Sequence, residues 1–495
     1  MTDGILSHRL RHWACVQPGT TALIYRDCRI SFETLQDMTV RAERHLATSG
    51  LPPGSVVALR SGKEPERLSA VIALNRLGHT TLIAPDNLGS TAKFAVYREA
   101  NVVAEAHVDA ERLALEACGG AAMSDSGRVP PSGAGPLILT TSGSTGVPKG
   151  VLLSDAGLSR FFAWGETQFA LSTGRRVFSY APLNFDLSLL EIWAALHAGA
   201  TVIAVSAREA VDGRLLRDMI REHRPHLLEG VPLLYCLLLQ GADCPLPAPS
   251  DLIVTGEALS GDLRRLIAEH FPRSRCHNVY GSTETNDSFI FSTSSADFGT
   301  IDRFPIGRPI EGTRYRIVTD EGYDLEGAGV GELHTSTPFA ALGYTNKERT
   351  GASFYRHDDC SFYRTGDVVR RDEDGALVLL GRKDLNIKVR GVRTNLRDIE
   401  IALERHPSVR AAVVSPLRDS AGDGSILHAS VQIDEDAPVT ALALRRHCAD
   451  HLPRTALPHR FTVDAAPIPR TPNPEPRRES RIGVRSGSTR SRKFA

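Results

Sequence analysis

The densest concentration of chemically useful residues is the run Thr140-Thr141-Ser142-Gly143-Ser144-Thr145-Gly146-Val147-Pro148-Lys149-Gly150, directly after the strand-like stretch PLIL. Glycines let the backbone turn its N–H groups inward, the hydroxyls add donors, and Lys149 adds a positive charge. Such a loop can wrap polyphosphate oxygens. It is not a P-loop, because Pro148 precedes the lysine where that pattern requires Gly-Lys-Ser/Thr. The plain alternative is a flexible Ser/Gly linker, but a linker needs neither a strand before it nor Pro-Lys-Gly after it. A second candidate is Asn184-Phe185-Asp186-Leu187-Ser188-Leu189-Leu190-Glu191-Ile192-Trp193. Ser188 and Glu191 have the spacing of a capping box, which predicts a helix from about Ser188. Leu189, Ile192, Trp193 and Leu196 would form its buried stripe and Gly199 its end. With the cap supplied by Ser188, Asp186 is left to point elsewhere. Its alternative is an extra anion at a helix N-terminus.

These residues need a scaffold, and the composition indicates its kind. The chain has 495 residues, 41% hydrophobic and 23% charged, with no net charge. At roughly 150 residues per domain the length suggests about three domain-sized units. The composition excludes collagen-like, coiled-coil and wholly disordered chains. The balanced charge gives no reason to expect nucleic acid or an anionic membrane as the main partner. Residues 476–495 nevertheless carry a net charge of +6, leaving the first 475 residues at −6. There is no signal-peptide core and no apolar run of the ~20 residues that span a bilayer, so a soluble cytoplasmic protein is expected. The eight cysteines are scattered without a C-x-x-C pair. That argues against a zinc ribbon or disulfide framework and predicts buried or half-buried thiols.

Strand-like runs alternate with helical stretches through most of the first ~300 residues. SVVALR at 55–60, LSAVIALNRLG at 68–78 and TTLIAP at 80–85 exemplify the alternation, as do RVFSYA at 176–181 and TVIAVS at 201–206. This predicts an α/β fold of stacked β–α units with largely parallel sheets. From about residue 384 the pattern changes to a small α+β unit. It has an amphipathic helix (Leu396, Ile399, Leu403), strand-like AAVVSP at 411–416 and HASVQI at 428–433, and a helix at 439–451. The predicted organisation is a large domain over 1–383, a small mobile α+β domain over 384–475 and a basic, disordered tail over 476–495.

The glycine-hydroxyl loop resembles the phosphate-binding loop of the adenylate-forming superfamily, which includes acyl-CoA synthetases, nonribosomal peptide synthetase adenylation domains and luciferase. Further matches occur in the family's order. They are Thr255-Gly256-Glu257-Ala258-Leu259, Asn278-Val279-Tyr280-Gly281-Ser282-Thr283-Glu284, Gly331-Glu332-Leu333, Tyr363-Arg364-Thr365-Gly366-Asp367, Gly381-Arg382-Lys383-Asp384 and Lys388-Val389-Arg390-Gly391. The resemblance covers roughly residues 18–475. It implies that ATP is held by Thr141 through Thr145, Gly146, Lys149, Gly256, Glu257, Gly281 and Ser282. Tyr280 would present an aromatic face to adenine, Asn278 would meet the purine edge and Thr283 a phosphate. Asp367 would accept the ribose hydroxyls with Arg382 bracing the sugar, and Glu284 would give Mg²⁺ an oxygen ligand. Read singly, Tyr280-Gly281 and Gly366-Asp367 could be turns and Arg382 a surface charge. One nucleotide requires all of them together.

The Phe-Asp-x-Ser pattern is similar to that of amino-acid-activating members, in which the aspartate binds the substrate ammonium. Carried over, the pocket is Asp186, Leu187, Leu190, Gly230, Ile253, Thr255, Val279 and Asp287. Asp287 could select a polar or cationic side chain or merely face solvent. Stand-alone ligases that load β-amino acids onto carrier proteins are also similar through NFDLSLLEIW and YGSTETNDSF, so an α- or a β-amino acid fits. The family's second half-reaction uses a rotation about a hinge matched by Asp384, after which Lys388 lies on the strand that meets a phosphopantetheine arm. As a bare strand-edge lysine it would be merely solvated. No carrier domain is legible, so a phosphopantetheinylated carrier protein is expected in trans, in natural-product (antibiotic or polyketide) biosynthesis. CoA is the alternative acceptor, which would make the chain an acyl- or aryl-CoA ligase.

One departure is large. The family ends with Pro-x-Thr-x-x-Gly-Lys, and this chain has Pro469-Arg470-Thr471-Pro472-Asn473-Pro474-Glu475. An acid in place of that lysine repels a carboxylate and a phosphate, and losing one such contact costs ~10²–10³ in rate. Impaired adenylation, rescue by Arg477 or Arg478, and a scrambled C-terminus all fit this sequence. A catalytically weakened nucleotide-binding homologue is therefore a further alternative.

Overall fold

A computed structural model describes residues 4–86, 88–109, 113–118, 135–141, 148–242, 245–301, 304–383, 386–389, 392–418, 425–433 and 439–465. Its larger sheet has nine strands. In spatial order they are Arg308–Pro309, Asn286–Ser294, Arg275–Ser282, Asp251–Thr255, Leu227–Gly230, Arg176–Ser179, Thr201–Ala204, Thr21–Tyr25 and Cys28–Ser31. Neighbours from Arg275–Ser282 to Thr21–Tyr25 pair in parallel, and antiparallel strands close both edges. Parallel strands are covered on both faces, which explains near-continuous apolar runs such as Leu252-Ile253-Val254. Alternate residues then enter two cores. Val177, Leu227, Ile253 and Val279 pack in the same core as Leu190, whereas Phe178, Leu228, Leu252 and Val254 face the other way.

The chain leaves the Arg176–Ser179 strand for Thr201–Ala204 on one side and later returns to Leu227–Gly230 on the other. Such a switch in winding opens a crevice outside the carboxyl ends of the strands, where ligands of open α/β sheets bind. Asp186 lies in the segment that leaves the carboxyl end of the Arg176–Ser179 strand.

The second sheet has seven strands in the order Gly343–Tyr344, Lys149–Leu153, Leu137–Thr141, Thr80–Ala84, Val56–Arg60, Val102–Val108 and Leu113–Ala117. Between two of these strands the 68–78 run lies in a helix, Pro65–Arg76, buried on nearly all sides. Thr141 and Lys149 are paired across the antiparallel strands that flank the glycine-hydroxyl loop, so the loop's two ends are adjacent. Ser142, Gly143, Ser144, Thr145 and Gly146 lie outside the described residues. A third sheet pairs Gly329–Ser336 with Cys360–Arg371, and Leu377–Arg382 joins its edge.

Helices Leu396–Glu404 and Ala441–His451 pack with strands Val409–Arg418, Ser425–Ile433 and Arg460–Asp464. They share a core of their own around Leu403, Val414, Leu427 and Leu444. Asp384 and residues 466–495, including Glu475 and the basic tail, lie outside the described residues.

Two expectations are corrected. Ser188 and Glu191 do not form a capping box. The Ser188 hydroxyl donates to the carbonyls of Leu183 (3.0 Å) and Phe185 (2.7 Å), and Glu191 accepts from the Ser179 hydroxyl (3.0 Å) and the Ala181 N–H (3.1 Å). The segment Leu189–Ala194 is a π-helix with every residue buried, not a one-sided stripe. Such wide turns are frequent at functional sites. Gly199 does end the helix, at φ +77°. The cysteines, too, are not uniformly buried: Cys276 and Cys448 are, but Cys15 and Cys28 are exposed. Among the described residues no helix is long and apolar enough to cross a membrane.

Candidate active site

The hairpin formed by Arg275–Ser282 and Asn286–Ser294 is the hub of the site. A Cβ on Gly281 would lie 2.3 Å from the Asn286 carbonyl oxygen, so only glycine lets the two strands close this tightly. Asn286 itself turns with φ +56°, and a hydroxyl pair, Ser282 Oγ to Thr285 Oγ1 at 3.1 Å, braces the tip. From this tip Tyr280, Glu284 and Thr283 reach three different parts of the chain.

Tyr280 reaches the third sheet. Its hydroxyl donates to Asp367 Oδ2 at 2.6 Å, and Arg382 Nη1 holds Asp367 Oδ1 at 2.5 Å. Arg382 also donates to the Thr365 carbonyl at 2.8 Å. Asp367 and Arg382 face each other across paired strands, so their approach is a matter of register. Burial, and then the Asp367 charge, push the Tyr280 hydroxyl well above its ordinary pKa. Its ring packs edge-on against Phe289 and is nearly buried, so little of its face meets solvent. Asn278 is half-buried, and its amide donates to the Pro305 carbonyl at 2.7 Å.

Glu284 reaches the loop side. It is 1% exposed and accepts from the Tyr344 hydroxyl at 2.6 Å. Lys149 Nζ lies over the Tyr344 ring, 5.4 Å from its centre. The lysine of the glycine-hydroxyl loop and the glutamate of the hairpin therefore contact the same tyrosine. The Thr141 hydroxyl nearby is buried and finds no hydrogen-bond partner among the described residues. Gly256 takes φ +87°, and the half-buried Glu257 follows it.

Thr283 reaches Asp186: its hydroxyl donates to Asp186 Oδ2 at 2.7 Å. Asp186 Oδ1 accepts the Leu187 N–H at 3.1 Å, and the Asp186 carbonyl accepts from Leu189 N at 2.9 Å. Thr283, expected on a phosphate, ties the hairpin tip to the aspartate. Leu190, Ile253 and Val279 belong to one core, and Thr255, paired with Val279, continues the same face. Leu187 and Asp287 are half-buried.

Gly230 does not share that face. A Cβ there would strike Leu234 at 2.5 Å, on the opposite side of the sheet. Strand alternation hands the position to its neighbour Glu229. Glu229 is 2% exposed, and its Oε2 has no hydrogen-bond partner among the described residues. Burial and then the charges of Glu191, Asp287 and Asp186 push its carboxyl well above the ordinary range.

Lys63 is also buried here. Its Nζ donates to the carbonyls of Ser179 (2.6 Å) and Tyr180 (3.2 Å). Burial lowers its pKa to about 8 and raises that of Glu191 to about 7, while each charge partly offsets the cost of burying the other. Sequence reading missed both Glu229 and Lys63. An acid directly before the strand-end glycine was the signal available for the first, and nothing local marked the second. Lys388 lies on the strand Asn386–Val389, opposite Arg393; its side chain lies outside the described residues.

Comparison with known proteins places these features in context. A family model described as AMP-binding enzyme matches residues 10–345. The chain is 29% identical over 475 residues to an L-proline–[L-prolyl-carrier protein] ligase of Pseudomonas fluorescens, covering 91% of this chain and 93% of that protein. It is 35% identical over 329 residues to a ligase of the same name from Streptomyces coelicolor, covering 65% of this chain and 61% of that protein. Among solved structures, an NRPS protein containing adenylation and PCP domains, bound to a vinylsulfonamide inhibitor, is 25% identical with a TM-score of 0.78. That match covers 95% of this chain and 82% of the other.

Proposed function

The chain belongs to the AMP-binding enzyme family, and on that premise we propose that it activates an amino acid as its aminoacyl-adenylate and loads it onto a separate carrier protein. The observation that carries this reading is the 2.7 Å hydrogen bond between Thr283 and Asp186. It supports the reading because a carboxylate, the group that would hold an ammonium, touches the hairpin that would meet the nucleotide. Relatives named as prolyl-carrier protein ligases support both the amino acid and the carrier.

ATP is the co-substrate of the family. In the first half-reaction a carboxylate oxygen of the amino acid attacks the α-phosphorus, the bond to pyrophosphate breaks, and the adenylate forms. Catalysis of such a step is mostly positioning and charge neutralisation. Asp186 holds the amine so that the carboxylate faces the loop. Lys149, with Thr141 through Thr145 and Gly146, meets the phosphates. Tyr280, Asp367 and Arg382 hold the nucleoside, with Asn278, Gly256, Glu257, Gly281 and Ser282 lining its approach. In the second half-reaction a phosphopantetheine thiolate attacks the acyl carbon and AMP leaves. Lys388 belongs to this step, after the small C-terminal unit has rotated about Asp384.

Mg²⁺ fits Glu284. Among the described residues no cluster of three His, Cys, Asp or Glu side chains could hold an ion. A single buried carboxylate beside a polyphosphate site suits a metal that keeps water and phosphate oxygens as its other ligands. Bound there, the ion would neutralise charge on the phosphates.

The test is ATP–pyrophosphate exchange with a panel of α- and β-amino acids, L-proline included. Exchange dependent on an amino acid is expected. No exchange with any of them, either by this chain or by its Glu475→Lys variant, would refute the reading. Asp367→Ala should separately raise the KM for ATP about 30-fold or more, because it removes one partner of a buried charged pair and leaves Arg382 and the Tyr280 hydroxyl without it. The KM for the amino acid should move far less. Equal rises in both would remove Asp367 from the nucleotide site.

A further inference from the structure

Glu229 has no place in the chemistry derived above, yet its position is costly. It is the last residue but one of a central parallel strand, at the point where the winding of the sheet reverses. A buried carboxylate normally has a cation or hydrogen-bond donors around it. Here Oε2 has neither among the described residues. The charges that act on Glu229 are those of Glu191, Asp287 and Asp186, all of the same sign. The buried Lys63 does not serve it. Lys63 is held by the Ser179 and Tyr180 carbonyls, and the carboxylates acting on it are those of Glu191, Glu209 and Glu64.

Strand alternation and the Asp186 and Asp287 charges that act on it place the side chain on the side of the proposed amino acid site. Leu227 and Glu229 alternate with Leu228 and Gly230 along the strand. Leu227 packs in the core that contains Leu190 and Ile253, and Leu228 in the opposite one. Glu229 therefore lies on the face where the apolar wall of the proposed pocket is built. A neutral amino acid brings a single cation, which Asp186 takes, and leaves the other carboxylates as they were.

We propose that the substrate of this chain carries a second cationic group, as a diamino or guanidino acid does, and that the Glu229 carboxylate receives it while Asp186 holds the first amine. This rests on the adenylation reading and adds the substrate class to it. Burial of the empty carboxylate among like charges raises its pKa, and a bound cation reverses that effect. Asp287 extends the negative surface on which the second cation is received. A neutral side chain of the same length has no group to offer, and a site with buried polar groups left unpaired rejects such analogues strongly.

The experiment is ATP–pyrophosphate exchange by the full chain with L-ornithine, L-lysine, 2,4-diaminobutyrate and L-arginine. These are set against the neutral probes norvaline, norleucine and L-proline. The best dicationic substrate should exceed every neutral one by roughly 30-fold or more in kcat/KM, the lower end of what one partner of a buried charge pair is worth. Glu229→Gln keeps the shape and removes the charge, and it should bring that ratio to within about threefold by raising the KM of the dicationic substrate. If L-proline or a norvaline-like acid is preferred by the unaltered chain, the inference is overturned and the adenylation reading stands. If Glu229→Gln is folded, judged by its thermal unfolding, and keeps the wild-type preference, the inference is likewise overturned. If Glu229→Gln does not fold, the panel on the unaltered chain decides alone. If no amino acid supports exchange, the adenylation reading has failed and this inference fails with it.

Discussion

Replacing Asp186 with alanine should lower amino-acid-dependent ATP–pyrophosphate exchange by about 10³-fold in kcat/KM, since truncating one partner of a hydrogen-bonded charge pair costs roughly 2–5 kcal/mol. Two consequences add up. The substrate ammonium loses its counter-charge, and the Thr283 hydroxyl, now 2.7 Å from Asp186 Oδ2, loses its acceptor. Asp186→Asn separates them, because the amide can still accept from Thr283 but carries no charge. Its loss should approach that of the alanine variant if charge dominates. Asp186 is only half-buried, so neither change should shift thermal unfolding strongly. Exchange within threefold of the parent chain in the alanine variant would dismiss the ammonium role.

The second large effect is on stability. Lys63→Met should destabilise the fold by about 3–5 kcal/mol, the usual cost of leaving a buried charge without the opposite charge that offsets it. Lys63 is 5% exposed and Glu191 fully buried, and both are held by Ser179, the lysine by its carbonyl and the glutamate by its hydroxyl. Without the lysine, Glu191 keeps its desolvation penalty and loses the cation that offsets it. The sign with pH follows from the raised pKa of Glu191, about 7 against the ordinary 4.5. Between these values the folded chain holds a proton that the unfolded chain has lost. Its contribution to stability is therefore present below pH 4.5 and is lost as pH rises through about 7. Removing Lys63 takes away the charge that favours ionised Glu191, so the deficit of the variant should be larger at pH 8 than at pH 5. Urea unfolding at the two pH values reads this directly. Adding Glu191→Leu should recover most of the loss, because an apolar pair of similar volume often replaces a buried ion pair without penalty. An unchanged midpoint in Lys63→Met at pH 8 would mean that the two groups do not support each other.

The legible and illegible parts of this protein divide on physical lines. The strand runs were readable because strands buried on both faces need continuous apolar residues, as in Leu252-Ile253-Val254. The candidate nucleotide residues could be named as expectations because they lie in short contiguous motifs. Gly281 and Gly256 were singled out only as members of those motifs, and the structure adds a 2.3 Å approach to Asn286 for the first and a φ of +87° for the second. The helix after Asp186 was misread in detail. Ser188 and Glu191 have the right spacing for a cap, but Ser179 and Ala181 compete for the glutamate from another element. Spacing carries no information about such competition.

The sequence by itself determined the chemical vocabulary and its order: the hydroxyl loop, Asp186, the Tyr280 to Glu284 hairpin, Asp367 and Arg382, on an alternating α/β scaffold. These follow from local periodicity and contiguous residue types. Tertiary structure alone decided which charges are buried and act on one another. Lys63 lies 116 positions from the Ser179 that holds it, and within its own segment, Ser-Gly-Lys-Glu-Pro-Glu-Arg, it reads as an ordinary surface lysine. Whether Gly230 or Glu229 faces the site depends on which way the strand is turned when it enters the sheet. Burial and facing direction are set by distant neighbours, and a charge acquires its meaning only from what surrounds it once the chain has closed.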